Sequence, residues 1–92
     1  MKYVADVGIF KKMIDKWGAP YQILMAVEEM SELQKEVLKN CNRRKENVAA
    51  IAEEIADVLI TVEQLIHIYG VADDVERHIA AKLERVKPKL EE

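Results

Sequence analysis

Apolar residues recur at helical spacing along almost the whole chain, and the few glycines and prolines fall where that rhythm breaks. Val4, Val7, Phe10, Met13, Ile14 and Trp17 share one stripe over residues 3–17, and Gly18 is a natural stop. Ala19 and Pro20 restart the chain, because proline fits a first helical turn that requires no backbone donor. The pattern predicts a second helix from about Pro20 to about Lys39, then a polar loop, NCNRRKEN, over residues 40–47. Asn47 is positioned to cap a third helix that runs to about Tyr69, where Gly70 supplies the stop. Asp73 or Asp74 starts a fourth helix, which Pro88 is expected to end.

Composition supports this all-α reading. Half of the 92 residues are hydrophobic, but only five are Phe, Trp or Tyr, so the core is aliphatic. Three Gly and two Pro leave little material for a turn-rich β fold. The length suits one domain, residues 1–92, at the small end of what buries a self-sufficient core. A net charge of −3 offers no basic face for a nucleic-acid backbone. No stretch approaches the roughly 18 uninterrupted apolar residues of a membrane span. Cys41 stands alone, and charge interrupts the N-terminal MKYVADVGIFKKM, so neither an intrachain disulfide nor a signal peptide is indicated. A reducing, cytoplasmic setting is the default expectation.

The second helix has a clean wheel. Ile23, Ala26, Val27, Met30, Leu33, Val37 and Leu38 form its apolar arc, edged by Gln22, Glu29, Glu32 and Glu36. The third differs: Ile51, Ile55, Val58, Leu59, Val62, Leu65 and Ile66 make a core arc, while Ile60 and Ile68 lie elsewhere on the wheel. A helix apolar nearly all round is covered on more than one side, and in so short a chain the second cover is another subunit. The expected assembly is therefore a homo-oligomer of four-helix bundle-type protomers.

Two acid clusters, VEEMSEL at 27–33 and EEIADV at 53–58, raise the question of function. Residues three apart share a helix face, so Glu29 projects with Glu32 and Glu54 with Asp57. The clusters lie at nearly equal distances on either side of residue 43. In an antiparallel hairpin both would sit roughly 18 Å from the turn, at ~1.5 Å per residue. Helices packed ~8–10 Å apart then converge four carboxylates into one small volume. Like charges so placed need basic partners, protons or a cation. Neither motif contains Lys or Arg, although Lys35 and Lys39 are near. Oxygen ligands without Cys or His suit a hard divalent ion, Mg²⁺ first and Mn²⁺ second. A single E-x-x-E is most often only a solvated face; two at matching height carry the argument. Glu36 reads as surface charge, and Glu28 and Glu53 as groups supporting the ligands.

With those residues in view, EEMSEL followed by EEIADV resembles the EExxE…ExxD signature of the all-α nucleoside triphosphate pyrophosphatases, the MazG-like superfamily. The resemblance covers the leading helix with Trp17, EEMSELQKEVLK, EEIADVLI, the YGV corner and the closing AKLERVK helix. It implies Mg²⁺-dependent hydrolysis of a nucleoside triphosphate to the monophosphate and pyrophosphate, with Glu29, Glu32, Glu54 and Asp57 as metal ligands. It leaves Glu28 and Glu29 as alternatives for the base. Many relatives carry a Lys followed four residues later by an Asn near the substrate; Lys82 matches the first, but Val86 stands where the Asn is expected. Arg85 offers a planar fork for phosphate in its place. Arg43, Arg44 and Lys45 are a second basic group, more commonly just a charged loop. Trp17 and Tyr21 can stack a base, although core or interface packing is the commoner use of such a Trp. Nucleotide-pool housecleaning, dUTP or dCTP removal and broad turnover all remain open. The resemblance also implies a dimer or a tetramer of two dimers, and four short helices with a doubly covered third favour the tetramer.

Two other functions place acids on facing helices. A ferritin-like di-iron bundle needs Glu-x-x-His, and neither His67 nor His78 has a Glu three residues earlier. A non-catalytic helical interaction module, with the acids as a docking face or a degenerate site, is the serious alternative.

Overall fold

The computed structural model describes residues 8–43 and 46–91, and these form four α-helices with no strand among them. They are α1 (Gly8–Trp17), α2 (Ala19–Arg43), α3 (Val48–Tyr69) and α4 (Ala72–Leu90). The expected beginning of α1, with Val4 and Val7, lies outside the described residues, as do Arg44 and Lys45.

Glycine punctuates the chain as its conformational freedom allows. Gly18 has φ 89° and is the single residue between α1 and α2. Its N–H still donates to the Ile14 carbonyl at 2.8 Å, which satisfies an end of α1. Gly70, at φ 63°, closes α3 with its N–H on the His67 carbonyl and the Val71 N–H on that of Ile66. That paired arrangement satisfies the last carbonyls of a helix, and a side chain at the left-handed residue would strain it.

Two boundaries differ from the sequence-based expectation. The helix α2 continues through Asn40–Arg43, because polar residues without Gly or Pro do not stop a helix. Pro88 lies inside α4 and does not end it. So close to the C-terminus, its missing N–H removes only a single helical bond.

The helices α2 and α3 form the antiparallel hairpin at the heart of the fold, with α1 packed against both. A side-chain hydrogen bond from Gln22 Nε2 to Gln64 Oε1 fixes the register, and that pair is centred on residue 43, as are Glu29 and Asp57. At the loop end Asn47 occupies the N-cap position of α3, but its side chain makes no cap bond. Its Nδ2 reaches back to α2 and donates to the Glu36 carbonyl at 2.9 Å and to Glu36 Oε2 at 2.7 Å. Glu36 is thus a fastening between helices, not the surface charge expected. Phe10 anchors α1, being 2% exposed, with its ring 6.5 Å from that of His67.

The interior is thin. Phe10 and Ala26 are the buried apolar side chains among the described residues, joined by the polar Gln22, Asn47, Thr61 and Gln64. Val27, Val37 and Leu38 of the expected α2 core arc, and Ile55 of α3, are exposed in the single chain. The chain bends by 118° between α3 and α4. Among the described helices, α4 packs on α3 alone, and it is exposed from Glu76 to Leu90. The fourth helix therefore does not complete a bundle within the chain. No single described helix is long and apolar enough to cross a membrane.

Candidate metal and substrate site

The hairpin register brings the acid clusters together. Glu29 on α2 and Glu54 and Asp57 on α3 each offer a carboxylate oxygen within 4.8 Å of the others. All three residues are half-buried. Glu32, the fourth expected ligand, turns outward, with Lys35 Nζ 3.7 Å from its Oε2. Its charge still acts on Glu54. Glu28 and Glu53 are exposed.

The close approach has electrostatic consequences. The Glu29 carboxyl is raised above the ordinary 4.5, first by desolvation and then by the charges of Asp57 and Glu54. Desolvation also raises Glu54, reinforced by Asp57 and Glu32. Among the described residues no Lys, Arg or His lies within ion-pairing distance of the three. Glu54 Oε2 is buried and has no hydrogen-bond partner. An acceptor with no donor, set among other carboxylates, lacks a positive partner. A hard divalent cation fits this donor set, which is all oxygen and anionic.

A cavity of about 390 Å³ adjoins the acids. Glu29 and Asp57 line it at one end, with Met13, Trp17, Tyr21, Gln22, Met25, Ile60, Thr61 and Gln64 completing the lining. Trp17 and Tyr21 are each about half exposed, so Trp17 flanks an open cavity instead of filling a core. Lys16 Nζ sits 5.7 Å from the Trp17 ring centroid. Thr61 is held by its hydroxyl, which donates to the carbonyls of Asp57 and Val58 at 3.1 and 3.0 Å.

Lys82 and Arg85 are exposed on α4, and neither lines the cavity. Arg43 is exposed at the end of α2. Sequence reasoning placed Gln22 on the same edge as Glu29 but gave it no role, and it passed over Gln64 altogether. The signal was present. Gln22 precedes Glu29 by seven residues and Gln64 follows Asp57 by seven, which keeps each on its partner's helix face.

Comparison with known proteins agrees with this geometry. Residues 21–91, from the first turns of α2 to the end of α4, match the MazG nucleotide pyrophosphohydrolase domain. The chain belongs to the MazG family. Neither a curated protein nor a solved structure matches it. A MazG domain is all-α, and its members are nucleotide pyrophosphohydrolases that generally depend on a divalent metal. The acid triad lies wholly inside the matched region.

Proposed function

We propose that this MazG protein is a Mg²⁺-dependent nucleoside triphosphate pyrophosphohydrolase, with Mn²⁺ able to substitute. The reaction uses water to split the bond between the α and β phosphates, releasing the nucleoside monophosphate and pyrophosphate. One observation carries the reading: Glu29, Glu54 and Asp57 converge at the end of a cavity large enough for a nucleoside. Those three residues would hold the metal, with Glu32 one helical turn along α2 as a further carboxylate. When bound, the ion supplies charge compensation for the phosphates and lowers the pKa of water.

The protein's own groups have distinct tasks. The carboxylates make the end of the cavity anionic, so a bare polyphosphate is repelled and only a metal-paired one can enter. Of the two base candidates, Glu29 lines the cavity and Glu28 does not. The Glu29 carboxyl is also raised above the ordinary value by desolvation and its acidic neighbours, the direction that makes a carboxylate a better base. The proton from water passes to a carboxylate oxygen of Glu29 as the new phosphorus–oxygen bond forms, and the pyrophosphate leaves with the bridging oxygen.

The functional unit is a homo-oligomer, with the tetramer preferred. Ile79, Leu83, Val86 and Leu90 form an exposed apolar stripe along α4. The chain exposes 7316 Å², against about 5,500 Å² for a compact monomer of its mass. The excess is about twice the roughly 800 Å² that one partner buries in a standard interface, and matches one partner's share of a large obligate one. A second copy also gives Lys82 and Arg85 a substrate to meet, since they do not line the cavity of their own chain.

The test is pyrophosphate release from a panel of NTPs and dNTPs, with and without Mg²⁺. Release that needs the ion, and that falls at least about 100-fold in Glu54→Gln and Asp57→Asn with helicity intact, supports the reading. Absence of turnover across the whole panel would leave the non-catalytic module as the better account.

A further inference from the structure

The cavity holds a polar pair that hydrolysis does not use. Gln22 and Gln64 line its wall, 4% and 1% exposed. Burying two amides so fully is costly unless their bonds are made. Gln64 makes its own: its Nε2 donates to the Ile60 carbonyl at 3.4 Å, and its Oε1 accepts from Gln22 Nε2. Those two bonds settle which way each amide faces. Gln22 is left with its carbonyl oxygen and its second N–H hydrogen uncommitted among the described residues. It thus offers one acceptor and one donor, side by side, in a fixed orientation.

Seven residues separate Gln22 from Glu29, so the amide lies roughly 10 Å along α2 from the acids. That is about one nucleoside's reach from base edge to phosphate. Met13, Met25 and Ile60 give the same cavity apolar lining for the faces of a ring. Nucleobases present adjacent donors and acceptors on one edge, and a glutamine amide is their planar complement. We infer that Gln22 reads the nucleobase edge of the substrate and that Gln64 is the positioning residue that locks its amide. The inference rests on the nucleotide reading of the acid site, and it names the group that sets base preference. A site built around a committed amide rejects a ligand lacking the matching edge, because the amide then stays buried and unpaired.

Binding tests this without requiring turnover. Calorimetry with Mg²⁺ measures the affinity of α,β-methylene triphosphates carrying each of the four bases, and of base-free ribose 5-triphosphate. Wild type should bind one or two bases at least about tenfold more tightly than the base-free compound, the equivalent of ~1.4 kcal/mol. Gln22→Leu should erase that margin, with the base-free compound as the internal reference for any change in the hairpin itself. The Gln22→Leu/Gln64→Leu double variant removes both amides, strands no polar group, and should behave alike if the single variant folds poorly. Gln64→Leu alone should shrink the preference between bases. Wild-type affinity equal for all bases and the base-free compound overturns the inference, and so does a preference that survives in both Gln22 variants. Failure of the nucleotide reading looks different, because the hydrolysable triphosphates would then yield no pyrophosphate whatever the binding pattern.

Discussion

At residue scale the site is governed by charges that have no internal remedy. Glu29 and Glu54 titrate above 4.5 because burial and neighbouring carboxylates disfavour their ionised forms. The folded protein therefore binds more protons than the unfolded chain between the ordinary and the raised values. This contribution to stability is fully present below 4.5 and is lost as pH rises through the raised pKa values, so near neutrality the metal-free cluster destabilises the fold. Glu29→Gln removes one of the repelling charges and should raise the metal-free Tm at pH 7 by a few degrees. The same variant should lose most of the additional stabilisation that Mg²⁺ gives wild type. A metal-free Tm equal to or below that of wild type would show that the carboxylates are already compensated. Glu29, Glu54 and Asp57 were legible in the sequence because helical spacing and hairpin symmetry suffice to bring them together. The outward turn of Glu32 was not, because Lys35 competes for it one turn along the same helix. Gln64 escaped notice because an uncharged residue on an apolar helix announces nothing until its partner is known.

At the scale of elements, hairpin register is what makes the site. A shift of one residue between α2 and α3 would turn Asp57 and Glu54 away from Glu29, since each position rotates a side chain by about 100°. Gln22–Gln64 holds one end of that register and Asn47–Glu36 the other. Asn47→Ala removes two hydrogen bonds at a half-buried joint and should lower stability by about 1–2 kcal/mol, read from urea unfolding. A change of only a few tenths would mean that the loop end contributes little to register. Helix identities and both glycine stops were readable from periodicity and conformational preference. The ends of α2 and α4 were less so, because charged polar residues extend a helix as readily as they form a loop, and a proline in the final turn costs little.

For the whole molecule, the single chain leaves α4 largely uncovered. Its radius of gyration is 16.0 Å, whereas a compact chain of this length has about 12 Å. The helix α4 packs on α3 alone among the described helices, and its exposed stripe from Ile79 to Leu90 is the surface proposed for a second copy. The near-continuous apolarity of α3 is what prompts the expectation of a second subunit; the departure of α4 from the bundle was not legible, because amphipathic pattern shows that a face is buried but not against what. Leu83→Asp should shift the protein to monomer in sedimentation at micromolar concentration and abolish the concentration dependence of Tm. An unchanged assembly would place the interface elsewhere.

Glu29, Glu54 and Asp57 are proposed to act jointly on one divalent cation. Electron paramagnetic resonance of Mn²⁺ titrated into the protein tests that joint action without any substrate. Saturable Mn²⁺ binding that is displaced by Mg²⁺ in wild type, and lost in Glu54→Gln with the helical content retained, is the expected result. Binding of equal affinity and stoichiometry in wild type and in Glu54→Gln would contradict it.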